Sequence, residues 1–230
     1  MQIEFRNSGE DLEIRFESSD WFLLLNPPTL SLEQENRIFD FIADQWSHLG
    51  GAVKEKVILP RIFTQPNTKS VCFYPGSFNP WHDGHQACVD LTPVESLVIV
   101  PDTNPWKLTN RSVTLKTILE IMKNVPQKTS VYPGFIHLEV GNPTVNWLPK
   151  TQWAKRSLCI GADSFVNLEK WKEVNTLLNS LESLFVVPRN ISDEVMKSTA
   201  QKVQGLCPAL KIEILAHHQF ENVSSTDLRK

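Results

Sequence analysis

Two histidines, His82 and His85, stand three residues apart in the run Gly76-Ser77-Phe78-Asn79-Pro80-Trp81-His82-Asp83-Gly84-His85. At the start of a helix that spacing puts both imidazoles on one face, where they can meet the same anion. Gly76 permits positive φ and a close backbone approach. Ser77, Phe78 and Asn79 can present N–H groups and side-chain donors to anionic oxygens. Gly84 falls where the helix begins, so its amide lies in the positive end of the dipole. The chemistry these residues offer is the holding of phosphate groups and the stabilisation of charge at phosphorus. A solvent-facing turn would need the histidines but not the glycine-serine-asparagine frame around them.

A phosphate cradle of this kind belongs beyond the C-terminal end of a parallel strand. The segment "SVCFYP" at 70–75 is a buried-strand candidate directly before it, and similar apolar runs follow at 96–101, 135–140, 157–161, 183–188 and 212–217. They are continuous rather than alternating, as strands covered on both faces are. Helix-like stretches lie between them at 84–92, 111–124, about 165–181 and 192–206. In the last of these, Ser192 or Asp193 caps the start and Gly205 falls near the end. Strand and helix in alternation imply an α/β fold, a doubly wound, mostly parallel sheet with right-handed crossovers.

Residues 1–68 do not share this rhythm and are expected to form a small α+β N-terminal extension to a main domain at 69–230. "DLEIRFES" and "WFLLLNPP" read as strands, the second stopped by Pro27-Pro28. The stretch at 31–51 reads as an amphipathic helix, with a capping box of Ser31 and Gln34 and an apolar stripe of Ile38, Phe41, Ile42 and Trp46. Gly50-Gly51 would end it, and 63–70 would be a linker. About 65 residues make a thin core alone, so the extension should dock on the main domain.

The chain has 230 residues, 41% of them hydrophobic and 21% charged, with a net charge of −3. Such a balance provides no global field for nucleic acid, so polyanions would have to be met at a local site. Cys72, Cys88, Cys159 and Cys207 show no C-x-x-C spacing, which points to a reducing compartment without structural disulfides. The first residues lack the basic-then-apolar layout of a secretory signal, and no apolar stretch approaches the roughly 18 residues of a membrane span. A soluble cytoplasmic protein is the expectation. His217-His218 could be a metal pair, but spacing places no third ligand, so no metal centre is expected.

The stretch "GSFNPWHDGH" resembles the signature of the nucleotidylyltransferase superfamily, whose short form is H-x-G-H. A second stretch, "VSSTDLR" at Val223–Arg229, resembles the S-S-T-x-x-R element of the same superfamily. Between them, "PDTNPWK" (Pro101–Lys107) and "IGADSFVNLEKWKEV" (Ile160–Val174) are similar to segments of the nicotinate and nicotinamide mononucleotide adenylyltransferases. "PTVNWL" (Pro143–Leu148) echoes that family's threonine-containing substrate loop. These matches run in family order over about two-thirds of the chain, from residue 70 to 229. Pro75 departs from the pattern, since this family usually has glycine there.

The resemblance implies a Rossmann-like nucleotidylyltransferase fold and a set of roles. His82, His85, Lys107 and Arg229 would act on the ATP phosphates. Gly76, Ser77, Phe78, Gly84, Gly161, Asp163, Ser224, Ser225 and Thr226 would bind the nucleotide, with Asp163 on ribose hydroxyls. Asn79, Thr144 and Trp171 would bind the acceptor, Trp171 by stacking on a pyridine ring. The implied reaction is adenylyl transfer from ATP, with Mg²⁺, to nicotinate or nicotinamide mononucleotide, giving a dinucleotide of NAD biosynthesis and pyrophosphate. Two other readings compete: the same chemistry on phosphopantetheine or a polyol phosphate, and a nucleotide-binding module without turnover. An aminoacyl-tRNA synthetase fragment shares the histidine motif but would need a basic face for tRNA.

Overall fold

The computed structural model describes residues 3–8, 11–16, 20–23, 30–47, 49, 59–102, 114–136, 138, 141–225 and 228. Six parallel strands form the main sheet: β4 (Ser70–Gly76), β5 (Leu97–Pro101), β6 (Thr129–Val131), β7 (Lys155–Gly161), β8 (Ser183–Val187) and β9 (Lys211–Ile214). Every residue of β5 is buried, which accounts for its unbroken "LVIVP". Helices α2 (Asp83–Leu91), α3 (Leu115–Asn124) and α6 (Asp193–Leu206) lie between the strands in sequence. Each has a side-chain N-cap, from His82, Thr114 and Ser192 in turn. The arrangement is the α/β, doubly wound sheet expected.

The strand order is β6-β5-β4-β7-β8-β9. The chain therefore starts in the middle at β4, builds to one side through β5 and β6, then returns to build the other side from β7. The reversal point lies between β4 and β7, which pair from Ser70↔Lys155 to Phe73↔Leu158. Loops leaving two such strands part company at their C-terminal ends and leave a crevice between them. Topology alone thus places any ligand beside Gly76 and Gly161.

A second sheet, of order β1-β2-β3, is antiparallel: β1 (Ile3–Ser8), β2 (Asp11–Phe16) and β3 (Phe22–Leu23). One face carries the cross-strand ion pairs Arg6–Glu13 and Arg15–Glu4, with Arg6 stacked over Trp21 at 4.1 Å. Helix α1 (Leu32–Asp44) follows, with both hydrogen bonds of the Ser31–Gln34 capping box formed. Its buried residues Ile38, Phe39 and Ile42 join Ile14, Phe16 and the main sheet in one continuous hydrophobic core.

Several details differ from expectation. Helix α1 stops at Asp44, short of Gly50-Gly51, which lie outside the described residues. Trp46 turns inward instead, fully buried, its indole N–H donating to the Phe63 carbonyl at 2.9 Å. That bond pins the start of the expected linker, and Phe63 itself is wholly buried in a 3₁₀ turn. The strand expected at 135–140 is displaced: the sheet residues are Thr129–Val131, and Phe135 and Ile136 pack into the core from a turn after Pro133-Gly134. The chain turns at Pro133-Gly134, so pairing ends before the apolar residues. The helix expected over 165–181 is broken into α4 (Ala162–Phe165), a 3₁₀ turn at Leu168–Lys170 and α5 (Val174–Asn179). Trp171 is extended and Glu173 left-handed, at φ 48°, so no helix passes through them. All four cysteines are unpaired and buried. Among the described residues no helix is long and apolar enough to cross a membrane.

Candidate active site

Strand β4 ends at Gly76, and the chain then turns sharply. Phe78 is left-handed, at φ 43°. Its ring folds back over Gly76, where a Cβ would stand 2.8 Å from the ring edge. Only glycine fits beneath that ring without displacing it. His82 is extended and caps α2, its Nδ1 accepting the Gly84 N–H at 3.1 Å. The His85 N–H bonds back to the His82 carbonyl at 2.8 Å. The two imidazoles stack with centroids 3.8 Å apart and planes 22° from parallel. Phe78 and Trp81 hold the His85 ring at 5.1 and 5.3 Å. Both histidines are less than a tenth exposed.

Electrostatics fix the state of His82. Burial first, and then the nearby Arg189 guanidinium, lower its pKa to about 4 against the smaller opposing effect of Asp83. The ring is therefore neutral near pH 7. Because Nδ1 accepts from Gly84, the single ring proton sits on Nε2. That Nε2 is buried and has no hydrogen-bond partner among the described residues. An oriented N–H donor left unsatisfied in a protein interior costs free energy unless a ligand oxygen completes it.

The other elements converge on the same crevice, a cleft of about 630 Å³. Gly76, Ser77, Phe78 and His85 line it from β4 and α2, and Asp102 from the end of β5. Gly161, Asp163 and Ser164 follow β7, and Arg189 follows β8. The segment Asn142–Val145, residues Lys170, Trp171 and Lys172, and Ser225 complete the wall. Lys172 reaches Asn146 at 3.5 Å, joining the two segments on that side. The Arg189 guanidinium donates to the Val223 carbonyl at 2.8 Å, and Ser225 Oγ donates to the Pro80 carbonyl at 3.1 Å. The second of these bonds ties the second sequence motif to the first, and the Arg189 bond ties it to the loop after β8.

Of the residues singled out in the sequence, Gly76, Ser77, Phe78, His85, Thr144, Gly161, Asp163, Trp171 and Ser225 line this one cleft. His82 and Gly84 stand directly behind His85 in the α2 cap. Asn79 and Ser224 are near in the chain but are not on the cleft wall. Lys107, Thr226 and Arg229 lie outside the described residues. Arg189 and Asp102 were not anticipated. Each follows the end of a predicted strand, "SLFVVP" and "SLVIVP", so the rule that ligands sit beyond strand C-termini would have found both.

Gly161 shows how closely the cleft is built. A Cβ there would stand 2.6 Å from Asp163 Oδ1 and 2.7 Å from Arg189 Cδ. Gly161→Ala should therefore push both charged side chains out of place. A loss of nucleotide affinity of about tenfold or more is expected, given the sensitivity of bound geometry to displacements near 1 Å. Calorimetric titration with ATP checks it.

His217 and His218 have separate hydrogen-bond partners. His217 bridges Glu221 at 2.7 Å and Asp193 at 3.0 Å, while His218 Nε2 meets the Pro188 carbonyl at 3.1 Å. Among the described residues no group of three or more His, Cys, Asp or Glu is placed to hold a metal ion. The Glu221 and then the Asp193 hydrogen bonds raise the His217 pKa. The two shifted histidines act oppositely on stability. His82, depressed from 6.5 to about 4, costs stability as pH falls through that window, because the unfolded chain takes the proton first. His217, raised, contributes stability that is complete below its unfolded pKa and is lost as pH rises through its folded one. Melting curves from pH 4 to 8 should show His82→Asn flattening the acid limb and His217→Gln flattening the other.

No protein-family model matches the chain. Individual proteins do. It is 29% identical over 172 residues to a Fusobacterium nucleatum protein described as "Probable nicotinate-nucleotide adenylyltransferase", covering 69% of this chain and 85% of the relative. Proteins of the same description from Leptospira interrogans and Symbiobacterium thermophilum are 28% and 26% identical, over 82% and 79% of their lengths. A solved structure from Vibrio parahaemolyticus aligns at 15% identity and a TM-score of 0.41, covering 70% of this chain and 85% of that one.

Proposed function

We propose that this chain, a nucleotidyltransferase most like the nicotinate-nucleotide adenylyltransferases, transfers the adenylyl group of ATP to nicotinate mononucleotide or its amide. The observation that carries the reading is the stacked His82–His85 pair, with the Nε2 donor of His82, set among Arg189, Ser225 and the Gly76–Phe78 turn at the switch point of the sheet.

The acceptor's phosphate is already an anion, so no protein nucleophile is required. One of its oxygens bonds to the α-phosphorus as the bond from that phosphorus to the bridging oxygen breaks. The electron pair leaves with pyrophosphate. The protein's task is to align the two phosphates and to stabilise charge as it shifts onto the leaving oxygens. His82 Nε2–H and the His85 ring would donate to oxygens of the triphosphate, and Arg189 would neutralise them. Ser225, with Thr226 and Arg229 of the same motif, would hold its far end, and Lys107 would add a further cation. Gly161 and Asp163 would take the adenosine, with Asp163 on the ribose hydroxyls.

On the opposite wall, Thr144 and Trp171 would hold the acceptor, the indole against the pyridine ring. The divalent ion, Mg²⁺ in this proposal, comes bound to ATP. It supplies charge neutralisation at the phosphates. Asp102, the other carboxylate on the cleft wall, is the residue that would face it.

The test is pyrophosphate release with MgATP, with nicotinate mononucleotide and nicotinamide mononucleotide supplied in parallel and His85→Ala as control. Release with at least one acceptor, abolished in the variant, is expected. Silence with both acceptors, while ATP still binds, would overturn the acceptor. Phosphopantetheine and polyol phosphates would then be next to try. Silence with every acceptor would leave a nucleotide-binding module.

A further inference from the structure

Six aromatic side chains form a closed ring of contacts that runs from Trp46 to Trp147. Trp46 meets Tyr132 at 5.2 Å and Trp153 at 6.5 Å between centroids. From Tyr132 one arm continues to Phe135 at 5.1 Å and on to Trp147 at 5.6 Å. From Trp153 the other arm continues to Phe73 at 5.6 Å and on to Trp147 at 5.4 Å. Both arms leave Trp46, which comes from the region before residue 69, and both end on Trp147. Five of the contacts are edge-on or nearly so, the geometry aromatic quadrupoles prefer. Trp46 is further fixed by its N–H bond to the Phe63 carbonyl, and Tyr132 OH donates to the Leu49 carbonyl at 3.1 Å.

Trp147 matters because of what precedes it. It caps the 3₁₀ turn Thr144–Asn146, its N–H donating to the Thr144 carbonyl at 3.4 Å. Pro143, Thr144 and Val145 line the cleft on the side that Trp171 also lines. This wall belongs to no sheet. By contrast, β4 is held by ladders to β5 as far as Gly76 and to β7 as far as Phe73. A close-packed interior transmits displacement to the segments packed against it. The ring should therefore govern the wall, not the phosphate cradle.

We propose that Trp46 is a positioning residue: by closing the aromatic ring it sets Trp147, and through Trp147 the Pro143–Val145 wall against which the acceptor mononucleotide is held. The assignment of that wall to the acceptor rests on the proposed adenylyl transfer. The ring's hold on the wall does not.

The experiment compares Trp46→Leu, Trp46→Phe and Ile38→Ala in the full chain. Ile38 is equally buried, on α1, and takes no part in the ring, so it serves as the control for lost stability alone. Two quantities are read: KM for ATP and for the acceptor in pyrophosphate release, and hydrogen exchange at the amides of Asn146, Trp147, Lys150 and Thr151. Trp46→Leu is expected to raise the acceptor KM about tenfold, leaving the ATP KM within about twofold, and to speed exchange at those amides. Trp46→Phe, which keeps an aromatic ring but loses the indole N–H, should recover most of both. Ile38→Ala should move neither, even where its melting temperature falls as far.

The proposal is overturned if Trp46→Leu and Ile38→Ala behave alike, if both KM values rise together, or if exchange quickens with no change for the acceptor. Should the wild-type chain release no pyrophosphate with either acceptor, the functional reading fails. Exchange at 146–151 then decides by itself whether Trp46 sets that wall, and unchanged exchange in Trp46→Leu ends the proposal.

Discussion

His82→Asn and His85→Ala should each lower turnover by about a hundredfold or more while leaving the protein folded. The size follows from what such donors contribute elsewhere: removing one preorganised donor to developing negative charge typically costs about 2.7–4 kcal/mol in the barrier. Asparagine is the informative choice at His82, because that residue has two jobs. Its Nδ1 caps α2 by accepting the Gly84 N–H, and its Nε2 carries the donor. Asparagine is among the best N-caps, whereas alanine would sacrifice about 1 kcal/mol of cap energy as well. His82→Asn therefore separates the cap from the chemistry. At His85 the ring packs against Phe78, Trp81 and Tyr74, so alanine leaves a small void and a modest fall in melting temperature is expected. Circular dichroism melts beside single-turnover rates settle the matter. Turnover within about threefold of wild type in both variants would remove the histidines from the mechanism.

Arg189→Met should be as damaging, and for a reason the sequence motifs do not contain. The guanidinium stands in the cleft, bonds the Val223 carbonyl that leads into Ser224-Ser225, and depresses the His82 pKa. Methionine keeps much of the stem's volume and removes the charge. A fall of about a hundredfold to a thousandfold in kcat/KM for ATP is expected, comparable to losing one transition-state donor. A second, independent effect has a definite sign. With the cation gone, protonated His82 is less disfavoured, so its pKa should rise above about 4. It should remain below the usual 6.5, since burial, the larger cause, persists. Histidine proton resonances followed against pH measure this directly. Arg189→Lys should restore the charge but not the fork geometry that spans phosphate and carbonyl together, and so should recover only part of the rate. A normal rate with an unmoved His82 would show that the arginine serves only to hold the Val223 loop.

Four of the main strands, the class of the sheet and most of the cradle are legible in the sequence. Parallel strands covered on both faces must be apolar throughout, so β4, β5, β7 and β8 are visible as runs. The cradle is legible because its residues are adjacent in the chain: glycine for the turn, His82 for the cap, His85 one helical turn on. The Ser31–Gln34 capping box was readable for the same reason, since both partners lie within one helical turn.

The features that no local pattern shows join residues far apart in the chain. Arg189 reaches the histidines because β8 lies two strands from β4, a fact of strand order that no local pattern encodes. The broken course of 162–179 follows from Trp171 turning to the cleft, against the helical preference of the residues around it. The displaced strand at 135–140 shows the same limit, because "FIHLEV" has a strand's composition while Pro133-Gly134 ends the pairing ahead of it. Trp46 reads as one more residue on an amphipathic stripe. Its place in a ring with Tyr132, Trp147 and Trp153 exists only once the chain has closed over distances of 86 to 107 residues. Local sequence fixes conformations whose hydrogen bonds close within a turn or two. Side-chain neighbours across the core are set by packing, which depends on every element at once.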